Sequence, residues 1–294
     1  MTYQQRTYEM QSQPKRLNAM TVDVEDYFHV SAFESVISPS DWANITPRVG
    51  DNTHRLIDLF NEHGIKGTFF TLGWVAEHCP DVVKRIVDEG HELGSHGSNH
   101  RRTTLMTRDE VFEDIRISKD KLEQASGKAL LGYRAPSFSI NRTNEWVFDI
   151  LVELGFKYSS STYPIEHDLY GVPDWPRFSH KRKEGIVEIP IPTIRSNDKN
   201  KGIGGGGFFR LYPYWLSKRR IDEYLRDNNQ PYNFYFHPWE IDVDQPRVPN
   251  APFKSKLRHY VNLHSMEKKL GKLMQDYDWS SMEEVYADVI AAER

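Results

Sequence analysis

An α/β fold built on a parallel sheet is what this sequence predicts, and three observations predict it. Short apolar runs alternate with amphipathic helical patterns along most of the chain. Glycines close the early helical patterns, at Gly64 and Gly90, where stop signals belong. The residues capable of chemistry fall just after the apolar runs, at the carboxyl ends of the expected strands, where a parallel barrel collects them. About seven such units within 294 residues favour a single barrel domain. A doubly wound open sheet satisfies the same alternation. The expected division is a flexible tail over 1–16, a barrel over 17–245 and a helical C-terminal extension over 246–294 packed on it.

The elements follow in order. Leu17–Val22 is an apolar strand running into the acids Asp23, Glu25 and Asp26. Asn52–His63 places Leu56, Ile57, Leu59 and Phe60 on one helical face. Ile65–Thr71 reads as a strand, Val75–Glu89 as a helix, and His91–His96 as a strand entering a loop. Thr107 and Glu110 are spaced as a capping box, opening a charged helix to Ala125. Leu130–Arg134 is a strand, Thr143–Leu154 a helix, and Phe156–Ser160 and Ile186–Ile191 are strands. Pro213–Arg226 is a helix, Asn233–His237 a strand, and Ser255–Gln275 one long final helix.

Composition narrows the function. Hydrophobic residues are 38%, charged residues 27% and the formal net charge is −4, so a core is available and no basic surface calls for nucleic acid. The chain begins without an apolar signal region, and no window approaches the ~18 apolar residues of a membrane span. A soluble cytoplasmic protein is expected. Cys79 is the single cysteine, which rules out an internal disulfide framework and reads as a packing position.

His96 and His100, four residues apart with glycines before and between, can bind one divalent metal through both imidazoles. A carboxylate from the acidic cluster would complete such a site and leave a position open. The plainer alternative makes these acids helix caps and loop residues. Gly204–Gly207 lacks the Lys-Ser/Thr ending of a phosphate loop, so a rim loop or a close backbone approach is expected there. His29, beside Tyr27 and Phe28, is either a substrate contact or structural.

Four segments, Thr21-Val-Asp-Val-Glu-Asp26, Ser95-His-Gly-Ser-Asn-His100, Tyr133-Arg-Ala-Pro136 and Tyr235-Phe-His237, stand in this order. Together they resemble the motifs of the polysaccharide deacetylases (carbohydrate esterase family four, the chitooligosaccharide deacetylase homology domain) over residues 18–240. The segments around Asp26 and His237-Pro-Trp-Glu-Ile-Asp242 are similar to the branch found near exosortase and exopolysaccharide gene clusters. The resemblance implies a distorted (β/α) barrel of seven strands holding a divalent metal, zinc first, cobalt or nickel otherwise. The implied substrate is an N-acetylated glycan or its precursor.

Residue by residue, the resemblance makes Asp23 the general base. It makes His96 and His100 metal ligands, with Glu25 or Asp26 as the carboxylate ligand. Strand alternation favours Glu25, which shares a face with Asp23. Arg134 would hold the base, and His237 would protonate the departing amine. Pro136 would fix the turn that presents the Ser137 backbone N–H to an oxyanion. Where relatives carry an acid supporting the histidine, this chain has Ser159. Asp174 is the expected substitute, with Trp175 or Trp239 walling an acetyl pocket. Two other readings stay open: a non-sugar amidohydrolase on the same scaffold, allantoinase-like or deformylase-like, and a glycan-binding protein with a degenerate site.

Overall fold

In the computed structural model, residues 16–167 and 170–291 are described, so the tail expected over 1–16 lies outside them apart from Arg16. The barrel is built from β1 (Leu17–Val24), α1 (Val49–Glu62), β2 (Thr68–Thr71), α2 (Gly73–His78), α3 (Pro80–Asp88), β3 (Glu92–Ser95), α4 (Arg108–Ser126), β4 (Gly132–Tyr133), α5 (Val147–Glu153) and β5 (Tyr158–Ser159). It continues through β6 (His180–Lys181), β7 (Val187–Glu188), the hairpin β8 (Thr193–Ser196) and β9 (Lys199–Gly202), α6 (Gly206–Leu211), α7 (Tyr214–Asp227) and β10 (Asn233–Phe236). α8 (Phe253–Tyr260), α9 (Leu263–Asp276), β11 (Asp278–Ser280), α10 (Met282–Val285) and α11 (Ala287–Ala291) complete the chain.

The sheet order is β10-β1-β2-β3-β4-β5-β7-β6, with β11 added beside β1. Seven of these strands, β10 through β7, run parallel, and β6 is antiparallel to β7. The expected seven-stranded barrel is thus present, but its last seam is thin. Ile203 N–H donates to Pro192 O at 3.3 Å and Tyr235 N–H to Gly204 O at 2.8 Å, so a short segment with single hydrogen bonds bridges β7 and β10. The barrel is distorted because this connection lacks a continuous ladder.

Alternation along β1 sorts the chain into two layers. Met20, Val22 and Val24 face outward into the main core with Leu56, Ile57 and Phe60 of α1. Each fully buried side chain of this kind contributes about 1.5–3 kcal/mol. Ala19 faces inward with Phe70, Tyr158, Val187 and Met282, while Thr21 and Asp23 meet Arg134 inside the barrel.

Two expected helices are broken. The segment read as one helix over Val75–Glu89 is α2 and α3, interrupted at Cys79, because Pro80 cannot donate a helical hydrogen bond. The segment read as Ser255–Gln275 is α8 and α9, parted at Asn262 with φ 51°, a left-handed turn that asparagine tolerates. The Thr107–Glu110 capping box forms as read.

The C-terminal residues do more than lie against the barrel. β11 pairs with β1 at Leu17–Ala19, and α10 then enters the floor. Met282 N–H donates to Thr68 Oγ1 at 2.7 Å, and Glu283 N–H donates to Glu92 Oε2 at 3.0 Å. The buried Glu92 carboxyl, raised above its ordinary range by burial, also accepts from Tyr158 Oη at 2.7 Å. Fully buried Met282 sits with its Sδ 3.9 Å from Arg134 Nη2. The floor of the site is therefore supplied from the far end of the chain. Among the described residues no helix is long and apolar enough to cross a membrane.

Met282→Ala opens a cavity beneath Arg134 and is expected to cost about 2–5 kcal/mol. The shift in the urea midpoint at unchanged m-value measures it.

Candidate metal centre and catalytic site

The inward row of the barrel ends in polar groups where the strands stop. Arg134, fully buried, reaches from the end of β4 across to β1. Its Nη1 donates to Asp23 Oδ1 at 2.6 Å and to Thr21 Oγ1 at 2.8 Å. Its Nε and Nη2 donate to Ser160 O at 3.1 Å and Ser160 Oγ at 3.0 Å, and Phe70 lies under the guanidinium at 4.2 Å. Every face of the cation has a partner, which is the condition under which a buried charge is tolerated.

Beside this pair, Glu25, His96 and His100 each present a ligand atom, all within 4.8 Å of one another and all buried. His96 Nδ1 donates to Arg134 O at 2.8 Å, which leaves Nε2 with its lone pair. Burial lowers the His96 imidazole to about 4, so it is neutral at pH 7, the form a metal needs. His100 Nε2 stands 2.6 Å from Glu25 Oε2, yet that buried oxygen has no hydrogen-bond partner among the described residues. Burial opposes ionisation of Glu25, but the three nearby imidazoles, His100 first, hold its carboxyl well below the ordinary range. An orphaned carboxylate oxygen facing two imidazoles fits a divalent cation with two nitrogen ligands and one oxygen ligand.

Asp26, the other candidate carboxylate, is turned away from these groups. It accepts Tyr27 N–H at 2.8 Å through Oδ1, and Arg48 N–H at 2.6 Å and Val49 N–H at 2.8 Å through Oδ2. It thus holds the start of α1, where a carboxylate is favoured by the helix dipole. Burial nonetheless raises its carboxyl to about 6, more than the backbone donors lower it. The alternation argument for Glu25 agrees with this geometry.

His237, just after β10, has Nε2 3.6 Å from Glu25 Oε1 and 4.0 Å from Asp23 Oδ2. Its support does not come from Asp174, which is exposed and pairs with Arg142. Nor does Ser159 mark a lost partner. The register Ser95–Tyr133–Ser159–Glu188 places it in the row facing away from the barrel interior. The partner is Glu240, three residues on, whose Oε1 lies 2.8 Å from His237 Nδ1. Fully buried Arg210 then donates from Nε to Glu240 Oε2 at 2.6 Å. Burial alone would lower the His237 imidazole; the Glu240 hydrogen bond and the charges of Glu25, Glu240 and Asp23 outweigh it and raise it to about 9. Burial likewise opposes ionisation of Glu240, but Arg210 and His237 hold its carboxyl below the usual range. The signal for Glu240 was its i,i+3 spacing from His237; nothing local pointed to Arg210.

Trp239 is at the site and Trp175 is not. Trp239 lines the pocket with Asp23, Glu25, His96, His100 and His237. It stacks on His237 at 5.1 Å and donates from Nε1 to Glu25 Oε1 at 3.3 Å. Trp175 packs at the edge of the core near Arg182. Pro136 opens a short 3₁₀ turn, and Ser137 follows it on the pocket wall with φ 53° and ψ 29°. Ser137, Phe138 and His100 all have left-handed backbones, a strain of about 1–3 kcal/mol each that gathers at this pocket. Burial pushes the Cys79 thiol up to about 11, consistent with packing rather than nucleophilic use.

The glycine run is a close approach. A side-chain carbon on Gly206 would strike the Glu240 carboxylate, and one on Gly205 would meet the Tyr235 hydroxyl at 2.6 Å.

Residues 42–159 match the family model described as polysaccharide deacetylase, and residues 160–287 match a domain of unknown function, DUF3473. A peptidoglycan deacetylase of Helicobacter pylori is 36% identical over 108 residues, 36% of this chain and 36% of that protein. A peptidoglycan-N-acetylglucosamine deacetylase of Bacillus cereus is 36% identical over 84 residues, 29% of this chain and 30% of that protein. The matches thus span about a third of the length of these relatives. A Mycobacterium smegmatis crystal structure, described as a candidate polysaccharide deacetylase, superposes with TM-score 0.61 at 18% identity, covering 96% of this chain and 93% of that one. That likeness establishes the fold.

Gly206→Ala displaces the acceptor of the His237 Nδ1 proton. Loss of a carboxylate from a protonated imidazole lowers its pKa, so His237 is expected to titrate below its value of about 9. Histidine ring resonances followed by NMR across pH measure the shift.

Proposed function

From the match of residues 42–159 to the polysaccharide deacetylase family model, we propose that this chain is a metal-dependent hydrolase. It removes N-acetyl groups from an amino-sugar-containing polysaccharide or its precursor. One observation carries the reading. A buried Glu25–His96–His100 cluster, an Asp23–Arg134 pair and a His237–Glu240 pair converge on one pocket. Amide hydrolysis needs a water activator, a base and an acid, and these are the three.

Glu25, His96 and His100 would hold the metal, zinc first, with cobalt or nickel as alternatives. When bound, the ion lowers the pKa of water and polarises an acyl oxygen. Asp23 takes the proton of the attacking water. Arg134, hydrogen-bonded to Oδ1, leaves Oδ2 turned toward His237 and the pocket. The Ser137 backbone N–H contributes to the charge developing on the acyl oxygen. His237, protonated through Glu240, gives its Nε2 proton to the departing nitrogen, without which an amine is a poor leaving group. Trp239 stacks against that imidazole and limits its rotation. Products are acetate and a free amino sugar.

The first test is acetate release from metal-loaded protein across N-acetylated oligosaccharides, small cyclic amides and formamides. Release from the oligosaccharides alone supports the reading, and release only from the other two classes overturns it. Asp23→Asn is expected to lower the rate about 10²–10⁴-fold with metal content unchanged. Elemental analysis of purified variants separates the two carboxylates. Glu25→Gln and His96→Ala are expected to lose the metal, whereas Asp26→Asn retains it and costs about 1 kcal/mol through the loosened start of α1.

A further inference from the structure

Exposed apolar side chains are unevenly placed on this molecule. Nine large ones are exposed among the described residues, and five of them, Phe208, Leu211, Trp215, Phe253 and Leu257, come from α6, the start of α7 and α8. Phe208 and Leu211 are three apart on α6, and Phe253 and Leu257 four apart on α8, so each pair shares a helix face. Phe253 is 81% exposed and Trp215 64%. A single exposed apolar residue is ordinary, but a gathering that includes aromatics marks a contact surface.

The three helices adjoin. Between Phe208 and Leu211, Arg210 donates through Nη1 to His259 O at 2.7 Å and Val261 O at 2.8 Å, and through Nη2 to Arg258 O at 3.2 Å. Asn262 Nδ2 donates back to Arg210 O at 3.0 Å. α7 joins them through Arg220, whose guanidinium lies 4.6 Å from the Tyr212 ring. That ring is nearly parallel to Phe208, with centroids 6.3 Å apart.

The charge around these side chains has one sign. Residues 199–221 and 245–266 contain no acid, although the chain has 42 in 294 residues. Lys254 and Arg258 are exposed on α8 beside Phe253 and Leu257, and Arg219 is exposed on α7 four residues after Trp215. Lys256 donates to Pro249 O and keeps its charge. Lys218 is set against Asp222 and Asp276 and adds nothing to the balance. The net charge of −4 averages this local excess away. Aromatic and aliphatic side chains interleaved with Lys and Arg suit a headgroup layer, where the apolar groups enter the acyl boundary and the cations meet lipid phosphates. A second copy of the chain would bring two basic faces together, which is costly. A soluble polyanion would engage the cations and leave Phe253 and Leu257 without a role.

We infer that α6, the start of α7 and α8 form a peripheral docking face for an anionic lipid bilayer. Lys254, Arg258 and Arg219 attract the surface, and Phe253, Leu257 and Trp215 make the contact. The same helices brace the catalytic histidine. His259 of α8 stacks on Trp239 at 4.0 Å, and Arg210 of α6 donates to Glu240 at 2.6 Å. A docked molecule therefore holds its pocket in a fixed relation to the bilayer. The inference stands without the deacetylase reading.

The test sediments the full-length protein with vesicles of phosphatidylcholine alone, and of phosphatidylcholine and phosphatidylglycerol in equal parts. Partitioning onto the anionic vesicles is expected to be about tenfold tighter and to fall as salt is raised. Phe253→Ser combined with Leu257→Ser changes only exposed positions. It is expected to weaken partitioning about tenfold with the unfolding midpoint unchanged. Lys254→Gln combined with Arg219→Gln is expected to do the same through charge. Acyl-brominated lipid is expected to quench a fluorescence component that Trp215→Phe lacks. Equal partitioning onto both vesicle types, parental partitioning by both double variants, or absence of that quenching overturns the docking face. Binding of dissolved hyaluronan as tight as vesicle binding, and unchanged in the serine double variant, assigns the face to polyanions and overturns it too. So does a dimer in sedimentation velocity that the same variant abolishes. Acetate release from soluble oligosaccharides is scored separately. Its absence in a protein that binds anionic vesicles overturns only the deacetylase reading, and its presence in a protein that ignores them overturns only this one.

Discussion

The buried ion pair between Arg134 and Asp23 is the constraint around which the molecule is arranged. A guanidinium with no exposure is tolerated only where each of its donors and faces has a partner. Thr21 and Asp23 of β1, Ser160 after β5, the ring of Phe70 in β2 and the sulfur of Met282 supply them. Those partners come from strands on opposite sides of the barrel and from the end of the chain, so the pair is satisfied only when the barrel is closed and floored. Removing one member of such a pair costs about 3–5 kcal/mol, because the other is left buried and uncompensated.

A second buried arginine performs the same service on the opposite wall. Arg210 donates to Glu240 and to the carbonyls of His259 and Val261 at the end of α8, where a cation also suits the helix dipole. It thereby keeps Glu240 charged at full burial, and Glu240 keeps His237 protonated. Trp239 extends the arrangement, sandwiched between His237 and His259, with the second ring at 4.0 Å. The site therefore depends on α6 and α8 as much as on the strand ends. The C-terminal part of the chain, matched by a domain of unknown function over 160–287, supplies Arg210, Glu240 and Met282 together.

Much of the site was legible before folding because its signals are local. Period-two alternation put Asp23 and Glu25 on one face, and Glu25 is the acid that meets the histidines. The capping box at Thr107–Glu110 and the proline break at Pro80 are both rules of adjacent residues; helical periodicity runs straight through the second, and the backbone does not. Asp174, the expected substitute for the acid missing at Ser159, pairs instead with Arg142 on the surface. Glu240 stood three residues from His237 in the sequence, but its role depends on a 3₁₀ turn at Pro238–Ile241 that periodicity does not announce. The plug formed by Met282 and the cavity walled by Trp42 and Trp74 had no local signal at all.

The sequence by itself determined the parallel α/β architecture, the order of the motifs and the pairing of the two histidines, and it favoured Glu25 over Asp26 beside them, since each follows from spacing along one strand or one loop. Only the tertiary structure decided that Glu240 and Arg210 support His237, that the last helices floor the barrel, and that an aromatic-walled cavity abuts His100. The physical reason is distance along the chain. Arg210 and Glu240 are 30 positions apart, Arg134 and Met282 are 148 apart, and Thr68 and Met282 are 214 apart. Such partners are chosen by the closure of the barrel, where buried charges and polar atoms must each find an opposite, and no pattern of neighbouring residues encodes that choice.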